Sequence, residues 1–274
     1  MPEAAPPTAT TPVAVCPPLS LYIHVPWCVR KCPYCDFNSH AIRGELPEQA
    51  YLAAMVEDLK QDLALVRDRP IDSVFIGGGT PSLMSGDFYE RLFEQLNQHL
   101  TFSSDAEITL EANPGTLEAG RFEHFRRAGI NRLSIGVQSF QPEHLQALGR
   151  IHDRDAALKA IASAREAGFD NFNIDLMHGL PGQTPEQALA DLQTALAEGP
   201  SHLSWYQLTI EPNTEFFSRP PALPDDDRLS GIYQTGADFL RSQGFNDYEV
   251  SAWSQPGRES RHNLNYWTFG DYLA

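Results

Sequence analysis

Three cysteines set close together carry the clearest chemistry in this sequence. Cys28, Cys32 and Cys35 follow a C-x3-C-x2-C spacing inside Tyr22 to Phe37, Tyr-Ile-His-Val-Pro-Trp-Cys-Val-Arg-Lys-Cys-Pro-Tyr-Cys-Asp-Phe. A structural zinc site closes its tetrahedron with four protein ligands, and a cubane iron–sulfur cluster normally takes one cysteine per iron. A cluster held by three thiolates leaves one iron open. The remaining cysteine, Cys16, lies upstream among prolines and is poorly placed to join the loop. Two other readings of the same residues stand beside the cluster: a zinc site completed by His24 or His40, and buried thiols that bind nothing.

The chain around them has 274 residues, 42% hydrophobic and 20% charged, enough for a large core and for one barrel-sized domain. Its 36 acidic and 20 basic residues give a formal charge of -16, which argues against nucleic acid as a partner, because such binding needs clustered Lys and Arg. The first twenty residues hold no Lys or Arg and no apolar stretch with a cleavage site, and the clustered cysteines suit metal chemistry in a reducing compartment. The expected location is the cytoplasm. Residues 1–18, rich in Pro, Ala and Thr, are expected to be a disordered leader.

The cysteines need a scaffold, and the sequence behind them alternates strand-like and helix-like segments. Strands are expected at Leu21–Val25, Ser73–Ile76, Ile108–Glu111, Arg132–Val137, Asn171–Leu176, Leu203–Leu208 and Asp247–Ala252. Helices are expected at Glu48–Val66, around Phe88, Leu92, Leu96 and Leu100, and at Leu117–Ala128, Asp155–Ala167, Pro185–Glu198 and Arg228–Gln243. Gly129-Ile130-Asn131, Gly168-Phe169-Asp170 and Gly244-Phe245-Asn246 repeat one helix ending: a glycine, an apolar residue that folds back, then a turn former. Crossovers of this length imply a parallel sheet, here read as a partial (β/α)6-type TIM barrel, with an open doubly wound sheet second. Gly77-Gly78-Gly79 is neither G-x-G-x-x-G nor a phosphate-binding loop.

Barrel chemistry sits at the C-terminal ends of the strands. The cysteine loop, Gly77-Gly78-Gly79-Thr80-Pro81, Glu111-Ala112-Asn113-Pro114, Gln138 and Asp175 all fall at such ends. Each has a bland reading on its own, as a tight turn, a helix cap or a backbone partner. Their coincidence at one end of successive units favours a common site.

The cysteine spacing resembles the signature of the radical S-adenosylmethionine (SAM) superfamily. The strings Tyr22 to Cys35, Gly77 to Pro81, Arg132 to Phe140 and Asn173 to Pro181 are similar to the oxygen-independent coproporphyrinogen III dehydrogenase family within it, and most to its heme-chaperone branch. The resemblance implies that Cys28, Cys32 and Cys35 hold a [4Fe-4S] cluster and that Tyr22, Phe37, Gly78, Gly79, Thr80, Glu111, Gln138, Arg150 and Asp175 contact SAM. Two features point to the chaperone branch. Phe37 stands where the dehydrogenases carry a further cysteine, and His262-Asn263-Leu264-Asn265-Tyr266-Trp267 is similar to an H-N-x-x-Y-W motif associated with heme. Without the resemblance, His262 reads as a turn cap and Tyr266 with Trp267 as core. The implied partners are heme and heme-accepting proteins, membrane-associated respiratory enzymes among them, and the resemblance leaves room for a homodimer. Oxidative decarboxylation of coproporphyrinogen III is the competing activity, and a zinc-binding structural barrel is the third. The resemblance also divides the chain into a core over 19–253 and the start of a further C-terminal region over 254–274, incomplete by comparison with relatives.

Overall fold

The computed structural model describes residues 16–115 and 121–274. The chain opens with β1 (Leu19–Val25), a small pair β2 (Trp27–Cys28) and β3 (His40–Ala41), and then α1 (Glu48–Val66). It continues through β4 (Ile71–Gly78), α2 (Gly86–His99), β5 (Phe102–Ala112), α3 (Phe122–Arg127), β6 (Arg132–Gln138), α4 (Pro142–Ala147), α5 (Arg154–Glu166) and β7 (Phe172–His178). After these come α6 (Pro185–Ala197), β8 (His202–Gln207), α7 (Glu215–Ser218), α8 (Asp226–Ser242), β9 (Asn246–Asp247), β10 (Ala252–Ser254), α9 (Arg261–Trp267) and β11 (Asp271–Leu273).

Nine of the described strands form one sheet in the order β11-β1-β4-β5-β6-β7-β8-β10-β9, and β2 with β3 forms a separate pair. From β11 to β8 every pairing is parallel, as the helical crossovers require. Alternation along each strand separates two faces. Leu21, Ile23, Val74, Ile76, Leu110, Leu133, Ile135, Ile174, Leu176 and Leu203 join one apolar core with residues of α2, α5, α6 and α8. The register sets the other face of the same strands: Ser20 opposite Ser73, Tyr22 opposite Phe75, Glu111 opposite Ser134, Gly136 opposite Asp175 and Asp175 opposite Ser204. This inner face is polar, and the partial barrel folds it around the site.

The repeated helix endings form as the sequence leads one to expect. Gly129, Gly168 and Gly244 adopt φ of 106°, 85° and 81°. Ile130, Phe169 and Phe245 then donate their amides back to Phe125, Ala164 and Leu240 at 3.1 Å while their side chains bury in the core.

Several expectations are corrected. Asp247–Ala252 is not a parallel strand; β9 and β10 flank residues 248–251 and pair antiparallel, β10 also running antiparallel to β8. The physical reason is Tyr248, which leaves the ladder so that its hydroxyl meets His202 Nε2 at 2.6 Å. The expected helix over 117–128 is seen as α3, residues 116–120 lying outside the described ones, as does the expected leader up to residue 15. The short elements β2, β3, α4, α7, α9 and β11 escaped the periodicity. The last two bring 254–274 against the sheet, β11 pairing with β1 and α9 packing on β1 and β4.

On the outer face the α8 helix approaches β8 through Gly236, where a Cβ would lie 2.0 Å from Trp205 Cη2. Trp205 is itself buried and stacked between His178 and Tyr233, so it has nowhere to go. Gly236→Ala is expected to destabilise the fold by about 1–3 kcal/mol through overpacking. A urea midpoint equal to wild type would show that α8 packs more loosely than described.

Candidate cluster and cofactor site

A cavity of about 760 Å³ opens at the C-terminal ends of the parallel strands. All three cysteines line it, together with Phe37, Gly78, Gly79, Thr80, Glu111, Gln138, Arg150 and Asp175. Of the residues expected to contact SAM, Tyr22 is the exception: it does not line the cavity. It lies deeper on the inner face, its hydroxyl 2.9 Å from His24 Nδ1 and its ring stacked with Phe75 and His262.

The loop and the glycine turn are stitched together through backbone. Gly79 N donates to Val25 O and Thr80 N to Trp27 O, each at 2.7 Å. A Cβ on Gly79 would lie 2.6 Å from Trp27 O, so only glycine lets the turn approach the cysteine loop this closely. Gly78 has φ of 115° and aims its amide at Glu111 Oε2, 3.2 Å away.

Two acids sit in the floor of the cavity. Burial in the apolar wall, with Asp175 nearby, pushes the Glu111 carboxyl from its ordinary 4.5 up to about 8, against the bond from Gly78 N. Burial also raises Asp175, but Ser134 Oγ donates to its Oδ2 at 3.0 Å and Asn173 Nδ2 to its Oδ1 at 2.7 Å, bonds that favour its charged form. Glu111 is therefore the acid that carries the proton at neutral pH. Gln138 reaches the cavity from a break in register between Gly136 and Gln138, with φ of 71°, a left-handed conformation rare for a side chain of this size. Tyr206 holds it there, donating to Oε1 at 2.7 Å.

Arg150 is committed to the protein. Its Nη2 donates to Asn113 Oδ1 at 2.5 Å and Gly136 O at 2.7 Å, and its Nη1 lies 3.5 Å from both Cys32 Sγ and Tyr34 Oη. Asn113 also donates to Thr80 Oγ1 at 2.8 Å, tying β5, the glycine turn and Arg150 into one unit. Asn113, Tyr34 and Tyr206 were not singled out from sequence, although Asn113 stood in the Glu-Ala-Asn-Pro string at a strand end.

The three cysteines fit a cluster better than a single ion. All are free thiols, Cys28 buried and the other two partly so, on one wall of the cavity. Among the described residues no three His, Cys, Asp or Glu side chains converge as a set that could hold one metal ion, which the zinc reading requires. A four-iron cubane spaces its ligands more widely, and the cavity beside the sulfurs leaves room for what the fourth iron would bind.

His262 lies elsewhere. It is 4% exposed, stacked on Phe75 with ring centroids 4.8 Å apart and met edge-on by Tyr266 at 4.8 Å. Burial, with the Arg132 cation nearby, lowers its pKa to about 4. The α9 helix that carries it lies across the inner face below the cavity, its first amide, Arg261 N, donating to Glu107 Oε1 at 2.9 Å. His262 and the cavity are thus on the same face of the sheet but are not brought together.

Residues 22–195 match the radical SAM superfamily. The chain belongs to that superfamily. A [4Fe-4S] cluster and SAM are the cofactors that radical SAM proteins share, and the cavity described here has the donors for both. Within the superfamily the chain is 56% identical over 258 residues to the protein named heme chaperone HemW of Escherichia coli, covering 94% of this chain and 68% of that one. It is 37% identical to the HemW of Bacillus subtilis, with 93% and 68% covered. The solved structure of the radical SAM enzyme coproporphyrinogen III oxidase (HemN) from Escherichia coli matches with a TM-score of 0.80 at 30% identity, over 92% of this chain and 58% of that one. Sequence thus places this radical SAM protein in the HemW branch, while the fold is shared with HemN.

The raised Glu111 carboxyl gives a pH test with a definite sign. Its folded value, about 8, exceeds the ordinary 4.5, so the folded chain keeps a proton that the unfolded chain releases. Stability from this site is full below about 4.5 and is lost as pH rises toward about 8. Glu111→Gln keeps an acceptor for Gly78 N without an ionisable group. Its urea midpoint is expected to gain on wild type as pH rises through that window, while SAM affinity falls about tenfold. A stability difference that does not change with pH would contradict the assignment.

Proposed function

We propose that this chain is a heme-binding, heme-delivering chaperone built on a cluster- and SAM-binding scaffold, working in the cytoplasm. The observation that carries the reading is the 56% identity to a protein named heme chaperone, over 94% of this chain. Phe37 supports it: 60% exposed at the mouth of the cavity, it offers an aromatic face where the dehydrogenases carry a further cysteine. Among the described residues no helix is long and apolar enough to cross a membrane. The proposed acceptors are heme proteins, including membrane-associated respiratory enzymes, with a homodimer as one working state.

Cys28, Cys32 and Cys35 are the proposed cluster ligands, and the cluster, when bound, supplies an iron that can chelate SAM and an electron that can reach it. The rest of the work falls to side chains and backbone. Glu111 would face the ammonium of bound SAM, beside which its carboxylate form would be favoured over the protonated one. Asp175, already favoured as the anion by Ser134 and Asn173, suits ribose hydroxyls or the same ammonium. Arg150 holds the Cys32 sulfur, and Tyr206 keeps Gln138 turned into the cavity. Gly78 and Gly79 present backbone without side-chain bulk.

The test compares two activities of the anaerobically reconstituted protein. It is expected to bind hemin and restore an apo-hemoprotein in a transfer assay, and to leave coproporphyrinogen III unchanged when SAM and a strong reductant are supplied. Formation of protoporphyrinogen IX would replace the chaperone reading with the dehydrogenase one.

A further inference from the structure

Accepting that reading, a porphyrin needs a place on this chain, and the cavity between strand ends is committed to the cluster and SAM. A second cavity, of about 820 Å³, lies on the other side of the cysteine loop. That size falls within the range of cofactor sites. The two cavities share Phe37 and Ser39 as a common wall. Its lining is mixed: Trp27, Phe37 and Ile42 contribute apolar surface, and Lys31, His40, Arg43 and Glu45 contribute charged and imidazole groups.

Charge favours an anionic guest there. Lining this cavity, the bases Lys31 and Arg43 outnumber the one acid, Glu45, within a chain of formal charge -16. Such a local reversal attracts carboxylates that the rest of the surface repels. The loop is also preformed: Lys31 Nζ donates to Phe37 O at 2.9 Å, His24 Nε2 to Asn38 O at 2.8 Å, and His40 N to Pro26 O at 2.7 Å. Phe37, 60% exposed between the two cavities, is an aromatic surface that gains from being covered.

His40 has the arrangement of a metal-ligating histidine. It is exposed, its backbone is fixed by the pairing of β3 with β2 opposite Trp27, and its Nε2 lies 3.2 Å from Asn38 Oδ1. An amide oxygen only accepts, so this bond puts the ring proton on Nε2 and leaves Nδ1 as the nitrogen with a lone pair to offer. Ligating histidines are commonly oriented by such a bond from their other nitrogen. His24, by contrast, uses both ring nitrogens, on Tyr22 and on Asn38 O, and His262 is covered by Phe75 and Tyr266.

We infer that this second cavity is a metalloporphyrin site, in which Trp27 and Phe37 cover the ring, Lys31 and Arg43 take the propionates, and His40 ligates the iron through Nδ1. Heme would then rest against the loop that holds the cluster, separated from it by Phe37 and Ser39.

The experiment titrates ferric hemin, and separately hemin dimethyl ester, into reconstituted full-length chain and reads affinity, absorption and electron paramagnetic resonance. Acid-labile sulfide in each variant reports the integrity of the cysteine loop. His40→Ala is expected to weaken hemin binding about tenfold and to remove the histidine-ligated spectrum, which added imidazole restores. The pair Lys31→Ala and Arg43→Ala is expected to weaken hemin but not the dimethyl ester, because only the free acid carries propionate charge. A His40→Ala protein with wild-type affinity and spectrum overturns the inference. Loss of heme ligation in His262→Ala but not in His40→Ala overturns it too, placing the porphyrin at α9 and leaving the chaperone reading intact. Wild-type protein that binds no hemin overturns both.

Discussion

Two backbone hydrogen bonds, Gly79 N to Val25 O and Thr80 N to Trp27 O, hold the site together. They join the loop after β1 to the turn after β4, so the cysteines and the glycine edge of the cavity move as one body. Because Gly79 cannot carry a Cβ against Trp27 O, the approach depends on residue type as well as on fold. From this seam the other contacts follow outward. Thr80 receives Asn113, Asn113 receives Arg150, and Arg150 reaches back to the Cys32 sulfur. A ring of three neighbouring strand ends therefore closes on the cysteine loop before any cofactor arrives.

The inner face of the sheet explains why a polar site can exist inside a well-packed protein. Burying polar groups is costly unless each finds a partner, and here the strand register supplies partners in rows. Ser134, Asn173, Ser204 and His202 bond among themselves beside Asp175, and Arg132 lies 3.9 Å from Glu107. The α9 helix closes the lower part of this face, leaving the upper part as cavity. One helix thus does two jobs: it completes the burial of the polar rows, and it fixes the depth of the pocket floor through the stack of His262, Phe75 and Tyr22.

Much of this was legible in the sequence, for identifiable reasons. Strands such as Arg132–Val137 are apolar on one face and bounded by glycine-capped helices, so their type and order follow from period and punctuation. Residues at strand ends converge because a parallel sheet points every such end the same way, which is why eleven of the twelve expected cluster and SAM residues, all but Tyr22, share one cavity wall or floor. What the sequence hides is set by contacts distant along the chain. Tyr22 and Glu111 both alternate inward, and only the height of each along its strand separates a residue of the stack from one of the cavity. His262 stands in a motif that the resemblance associates with heme and that otherwise reads as a turn cap, yet α9 turns it against Phe75, a partner 187 positions earlier. Strands of two or three residues carry too little pattern to fix their bounds, so β9 and β10 read as one strand and β11 goes unread.

An open iron held by the three cysteines would face the cavity where Glu111, Asp175, Gln138 and the glycine turn converge. The direct test is electron paramagnetic resonance of the reduced, reconstituted cluster with and without SAM. Binding of SAM at the open iron should change the spectrum of the cluster, and hyperfine coupling to isotope-labelled amino nitrogen or carboxylate of SAM should appear. An unchanged spectrum in protein shown by equilibrium dialysis to hold SAM would mean that the cavity binds it away from the iron, contradicting the arrangement described.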